Sequence, residues 1–310
     1  MATVSSQLPR EEVPIPAEIL GQIVSFLDPL TDVKTLCNIA LSASILREPA
    51  QSKLFLEVEL REGQCRKLVD LLVHSPHIAR FIKRFKIVNS DTDWIYEDTR
   101  LPELVQKLRL DKLERVEFGW ERTAGINLPQ CGWGTWKQNS QTAILALCHA
   151  PSLTHLTLHI GYWPAEFVRI CSRTVRNLRL CGVRYGWQTH QFDHPDQPAP
   201  LILQSLSLYG QKAINRVAKF TLGVAESFPA TIDLNSLEHL VVHIEDEDEN
   251  PALGRLLELC SPSLRSFEFS PHLLYNSESN SREYLGEKRW VERFHRQLGR
   301  PQSRYRAFET

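Results

Sequence analysis

Along most of this chain the apolar residues fall in one short step, apolar-x-x-apolar-x-apolar. The step occurs eight times: Phe55/Val58/Leu60, Ile82/Phe85/Ile87, Leu113/Val116/Phe118, Leu153/Leu156/Leu158, Val175/Leu178/Leu180, Leu203/Leu206/Leu208, Leu237/Leu240/Val242 and Leu264/Phe267/Phe269. Its last two apolar residues are two apart, so in a strand they share one side and the residues flanking the middle position take the other. The middle residues are separated by 27, 31, 40, 22, 28, 34 and 27 positions. A step recurring at such spacing marks a stacked repeat. Between the steps the apolar spacing turns to three and four, which predicts helices over Cys65–Val73, Leu104–Leu110, Ala143–Cys148, Phe167–Cys171, Val217–Val224 and Leu253–Cys260. Strands alternating with helices predict an α/β chain with a parallel sheet.

Upstream of Phe55 the pattern is helical. Residues 1–13 are polar and predict a disordered leader. Pro16 suits the first turn of a helix, because its missing N–H has no intrahelical partner to lose. Ile19, Leu20, Ile23, Phe26 and Leu27 follow at helical spacing, and Asp28-Pro29 ends the run. Thr31 is the expected N-cap of a second helix carrying Val33, Leu36, Ile39 and Ala40, and Pro49 is expected to open a short third helix ending near Leu54. At the far end Trp290, Phe294 and Leu298 lie four apart, with Gly299 placed to stop the helix. Two readings of that helix stand: a cap on the open end of the stack, or a partner-binding amphipathic helix flanked by Lys288, Arg289, Arg293 and Arg296.

Composition narrows the function classes. Of 310 residues, 42% are apolar and 24% charged, as in an ordinary globular protein, and the net charge of -1 gives no basic nucleic-acid footprint. The seven cysteines are odd in number and scattered without a CxxC pair, which points to reduced thiols in the cytoplasm or nucleus. No secretory h-region or membrane-length apolar run occurs, so no membrane partner is expected. P-loop, GxGxxG and GxSxG motifs are absent. His190 and His194 are four apart, but Pro195 and Pro198 oppose the helix that would aim both at a metal. Asp91, Asp93 and Asp98 lack the glycine of a calcium loop. The acidic run Glu245–Glu249 reads as a solvated loop after a strand. No enzyme activity, metal or cofactor is expected.

The stretch Ile15-Pro16-Ala17-Glu18-Ile19-Leu20, continuing through Ile23 and Phe26-Leu27-Asp28-Pro29, resembles the opening of an F-box. Asn38–Ser42 and Pro49–Phe55 are similar to the F-boxes of basidiomycete fungal proteins, and Leu72–Ile82 to the first repeat of those proteins. Ser42, Ala43 and Ser44 depart from the Val-Cys and Arg-Trp positions of the general pattern. The remainder resembles leucine-rich repeats, whose period is about 20–29 residues. It does so without their usual Asn or Cys: Gly161, Val183 and Gln211 occupy those places. The resemblance implies a small helical F-box (14–54) and an irregular leucine-rich-repeat-like solenoid with a parallel sheet (55–286), between the polar leader (1–13) and the capping helix and tail (287–310) read from the residues. It also implies a substrate receptor of a cullin–RING ubiquitin ligase, partnered by a Skp-type adaptor and the ligase core. Pro16, Ile19, Leu20, Ile23, Phe26, Leu27 and Leu36 match the positions that insert into the adaptor. The alternatives are that these residues only pack against the repeat, or that the chain is a non-catalytic scaffold with no ligase role.

A protein target is the remaining expected partner. On the side of the steps away from the core stand Arg84, Lys86, Arg115 and Arg179 against Glu57, Glu59, Glu117 and Glu268. That balance suits a protein read by mixed charge pairs better than a phosphate backbone. Two long insertions carry aromatics, Gly119–Asn139 with Trp120, Trp133 and Trp136, and Cys181–Pro200 with Tyr185 and Trp187. Long loops and tryptophans often serve recognition, so these five aromatics with Arg84, Arg115 and Arg179 are the candidate target contacts. Equally, the tryptophans can cover exposed core and the charges can belong to a solvated face.

Overall fold

The computed structural model describes residues 15–89, 94–120, 137–164, 171–186, 200–209, 214–215, 217–218, 232–244, 247–271 and 305–307. The chain divides into two compact units, residues 1–57 and 58–310.

The first unit holds helices α1 (Ala17–Ser25), α2 (Val33–Ser42) and α3 (Ser44–Leu54). Pro16 sits before the first helical residue, and its carbonyl accepts from both Ile19 N and Leu20 N. The break after α1 is pinned by two carboxylates: Asp28 N donates to Asp32 Oδ2 at 2.9 Å, and Leu30 N donates to Asp28 Oδ1 at 2.8 Å. Asp32, not Thr31, takes the N-cap position of α2, and its carboxylate is turned back to Asp28 rather than onto the helix. The third helix starts five residues before Pro49 and runs through it. An internal proline removes one helical hydrogen bond. Here Ala50, fully buried, and Leu46, packed against the same cluster, lie four apart on the inward side, and that packing outweighs the lost bond. The core of the unit is Val24, Leu36 and Ala50, with Leu27, Ile39, Ala40, Leu46 and Leu54 against it.

The second unit is built on β1 (Glu57–Leu60), β2 (Arg84–Asn89), β3 (Arg115–Trp120), β4 (His155–Pro164), β5 (Asn177–Gly186), β6 (Leu201–Ile202), β7 (Ser205–Tyr209), β8 (Ile232–Asp233), β9 (His239–Ile244), β10 (Ser266–Pro271) and β11 (Tyr305–Ala307). Nine of these form one open sheet in the order β1-β2-β3-β4-β5-β7-β9-β10-β11, while β6 and β8 pair separately. Pairing from β2 to β11 is parallel throughout. The helices of this unit are α4 (Cys65–His74), α5 (Trp94–Glu97), α6 (Leu101–Lys107), α7 (Gln138–Cys148) and α8 (Asn250–Cys260). The fold class is therefore α/β, with eight α-helices among the described residues.

The apolar step sets the register of this sheet. Its middle residues stand opposite one another from strand to strand: Phe85, Val116, Leu156, Leu178, Leu206, Leu240 and Phe267. The last residues of the steps form the next row, from Ile87 to Phe269. All seven middle residues are buried. Slipping any strand by one residue would turn its apolar pair outward. A repeated polar lock sits at the start of β3, β4, β5, β7, β9 and β10. The carbonyl of Lys83 accepts from both Glu114 N and Arg115 N, that of Glu114 from Thr154 N and His155 N, and that of Thr154 from Arg176 N and Asn177 N. The same double acceptance recurs at Arg176, Gln204 and Glu238. On the apolar side the helices bury Leu68, Val69 and Leu72, then Leu104 and Val105, then Ile144 and Leu147, then Leu253, Leu256 and Leu257.

Several elements exceed what the step predicts. Strands β4 and β5 continue to Pro164 and Gly186, paired through Trp163 opposite Tyr185. The tail adds β11 beside β10. Helix α7 begins at Gln138, within the span expected to be insertion. Most of the expected helices over 167–171 and 217–224 lies outside the described residues, as do the leader and the helix carrying Trp290, Phe294 and Leu298.

Candidate functional site

Two surfaces stand out, one in each unit. In the first, α1 is apolar on two sides. Val24 is buried in the core with Leu27 packed against it, and Leu20 is half-buried. Ile19 and Ile23, one turn apart, point to solvent, and Phe26 and Leu30 continue from them, each 87% exposed. Pro16 is exposed as well. Leu36 is fully buried in the unit's own core, so it supports the surface from beneath and has no contact to offer a partner. Val33, which the helical pattern grouped with Leu36, is exposed, as are Leu41 and Ile45, which it did not single out. A helix apolar all round is normally buried on all sides, and contiguous exposed apolar surface marks an interaction site.

In the second unit the outward rows of the sheet carry the charges. One row runs Arg84, Arg115, His155, Asn177, Ser205, His239, Ser266, and the next Lys86, Glu117, Thr157, Arg179, Ser207, Val241, Glu268. Lys86 Nζ lies 3.1 Å from Glu59 and 3.7 Å from Glu117, and Arg61 reaches Glu59 at 2.6 Å. Burial pushes the Glu59 carboxyl up, but hydrogen bonds from Lys86 and Arg61 outweigh it and hold the group below its ordinary range. These partly exposed pairs are worth at most about 1 kcal/mol each. The Arg179 guanidinium lies 4.8 Å from the centre of the Tyr209 ring, which stacks on His243.

His155 titrates below the ordinary histidine range. Burial is the main cause, the Arg115 and Arg84 charges add to it, and Glu114 opposes it. Its Nδ1 lies 2.8 Å from Thr154 Oγ1. A depressed folded-state pKa means that the fold disfavours protonation. The stability His155 contributes is present above the unfolded histidine pKa of about 6.5 and is lost as pH falls through the folded value. Arg115→Gln is expected to raise the His155 pKa, read by NMR titration of the imidazole; an unchanged pKa would contradict the contact.

Burial raises the thiols of Cys65, Cys148, Cys171 and Cys260, the last two to about 12 and about 11. Such thiols are poor nucleophiles. Asp98 also faces Cys65 and raises it further. No group of three or more His, Cys, Asp or Glu that could hold a metal occurs among the described residues. The acidic run is not wholly solvated as expected: Glu249 is fully buried, and its Oε1 accepts from Ile214 N at 3.1 Å. Among the described residues no helix is long and apolar enough to cross a membrane.

Arg84, Arg115 and Arg179 come together on the outward rows, all exposed. Trp120 ends β3 and Tyr185 stands near the end of β5. Trp133, Trp136, Trp187, His190, His194, Asp91 and Asp93 lie outside the described residues. Tyr209 belongs with the arginines but was not singled out in the sequence, because its role depends on cross-strand register; His155 is a flanking residue of its step, and its place beside Arg115 comes from the register. Comparison of the chain with protein-family models, curated proteins and solved structures finds no match.

Proposed function

We propose that this chain is an F-box-type substrate receptor of a cullin–RING ubiquitin ligase. Helices α1–α3 hold a Skp-type adaptor, and the larger unit, an irregular leucine-rich-repeat-like solenoid, presents a protein target. The observation that carries this reading is the two-sided α1: its inward apolar residues belong to a three-helix core, while Ile19, Ile23 and Phe26 remain uncovered. Burying an apolar side chain of that size is worth about 1.5–3 kcal/mol, so three of them supply a large driving force for association. A domain this small also gains from a partner, since few of its residues bury fully. The receptor does no chemistry. It raises the effective concentration of its target near the ubiquitin-charged enzyme.

The test is capture of the chain by purified Skp adaptor. Wild type is expected to co-purify, and the double variant Ile23→Asp/Phe26→Ala to be lost to background. Failure of wild type, or equal capture of the variant, overturns the receptor reading and favours a scaffold without a ligase role.

A further inference from the structure

The outward face of the sheet balances its charges in one place and leaves them unbalanced in another. At β1–β3 the alternation Glu59, Lys86, Glu117 neutralises itself. The adjoining row has no carboxylate on any strand from β2 to β10, its seven positions being two arginines, two histidines, one asparagine and two serines. The carboxylates on this side are Glu57 and Glu59 on β1, Glu117 on β3, which shares Lys86 and also acts on Arg179, and Glu268 on β10. Arg84 and Arg115 stand directly opposite each other in the register. The field of both arginines reaches the next strand, where it acts on His155 against the opposing charge of Glu114. The Arg115 side chain forms no ion pair among the described residues. Two strands on, Arg179 is held over Tyr209, with Thr157 and Asn177 between the two guanidiniums as neutral polar neighbours.

We infer that Arg115, His155, Asn177, Thr157, Arg179 and Tyr209 form the docking site for an extended acidic segment of a partner protein. One carboxylate of the segment pairs with Arg115 beside His155, and a second pairs with Arg179. From Arg115 to Arg179 the path covers two inter-strand steps of about 4.8 Å and two residues of about 3.3 Å, about 12 Å on the diagonal. An extended chain covers that distance in three to four residues, and its same-side residues are an even number apart. The two acids therefore stand four residues apart. Charge-assisted pairing with a guanidinium is the strong form of such a contact. The inference deepens the target-binding half of the reading above and is independent of the adaptor half.

The experiment uses the full chain, no adaptor, and fluorescence anisotropy of a labelled serine- and threonine-rich peptide carrying two glutamates four residues apart. Wild type is expected to bind it, and to bind more weakly as salt rises. Arg115→Gln/Arg179→Gln is expected to weaken binding at least about tenfold, while the Arg→Lys pair retains most of it. Replacing both peptide glutamates with glutamine, which leaves the protein untouched, is expected to abolish binding. The inference is overturned if the glutamine peptide binds as well, if the arginine double variant binds like wild type, or if nothing binds at millimolar peptide. It is also overturned if a phosphoserine version binds and the glutamate peptide does not, which would make the site one for phosphate. None of these outcomes involves the adaptor, so the inference and the receptor reading fail separately.

Discussion

Leu206→Ala is expected to destabilise the larger unit by about 3–5 kcal/mol. Leu206 is fully buried at the centre of the middle row, between Leu178 on β5 and Leu240 on β9. Deleting its branched end removes apolar burial and leaves a cavity walled by residues that the row holds in place, so little collapse can fill it. Ser207, the next residue, faces the other side and is half-exposed. Ser207→Ala should stay within about 0.5 kcal/mol of wild type. Urea unfolding of both variants, followed by fluorescence, makes the comparison. Trp94 is a suitable reporter, being buried with its Nε1 donating to Val88 O at 3.0 Å. Equal losses at both positions would mean that the strand does not alternate as described.

In the helical unit two apolar truncations should behave oppositely. Leu36→Ala is expected to cost about 2–5 kcal/mol, enough to unfold a domain of this size. Phe26→Ala, although it removes a larger side chain, should change stability by less than about 0.5 kcal/mol, because Phe26 is already in water. Amide hydrogen exchange over residues 15–57 within the full chain, compared with that of the sheet, distinguishes them. A large loss from Phe26→Ala would show that Phe26 serves the fold and not a partner. Adaptor capture should rank the same variants differently, with both impaired: one through loss of fold, the other through loss of contact.

The sheet was legible in the sequence because a parallel strand buried on one side writes its apolar residues two apart, and every middle residue from Phe85 to Phe267 lies in a single row. Helices α4 and α8 were legible for the same kind of reason, their three- and four-residue spacing matching the side they bury. What escaped depends on neighbours. The extension of β4 and β5 rests on mutual pairing past His159 and Cys181, where the residues no longer alternate. Strand β11 exists by adding to an open sheet edge, which nothing in Tyr305–Ala307 announces. Pro49 suggested a helix start by its usual preference, but burial of Leu46 and Ala50 on either side carries α3 through it. For the candidate sites, the F-box-like residues were visible as apolar positions, yet only the packing separates Leu36 inside from Phe26 outside. The arginines were visible as flanking residues. That Arg115 adjoins His155 and that Arg179 lies on Tyr209 are facts of register.

Hydrogen exchange of the full chain with and without the Skp adaptor tests the central claim most directly. The account predicts slowed exchange over α1 and the turn through Leu30, with the amides of β2–β5 unchanged. No protection anywhere, or protection confined to the sheet, would contradict it.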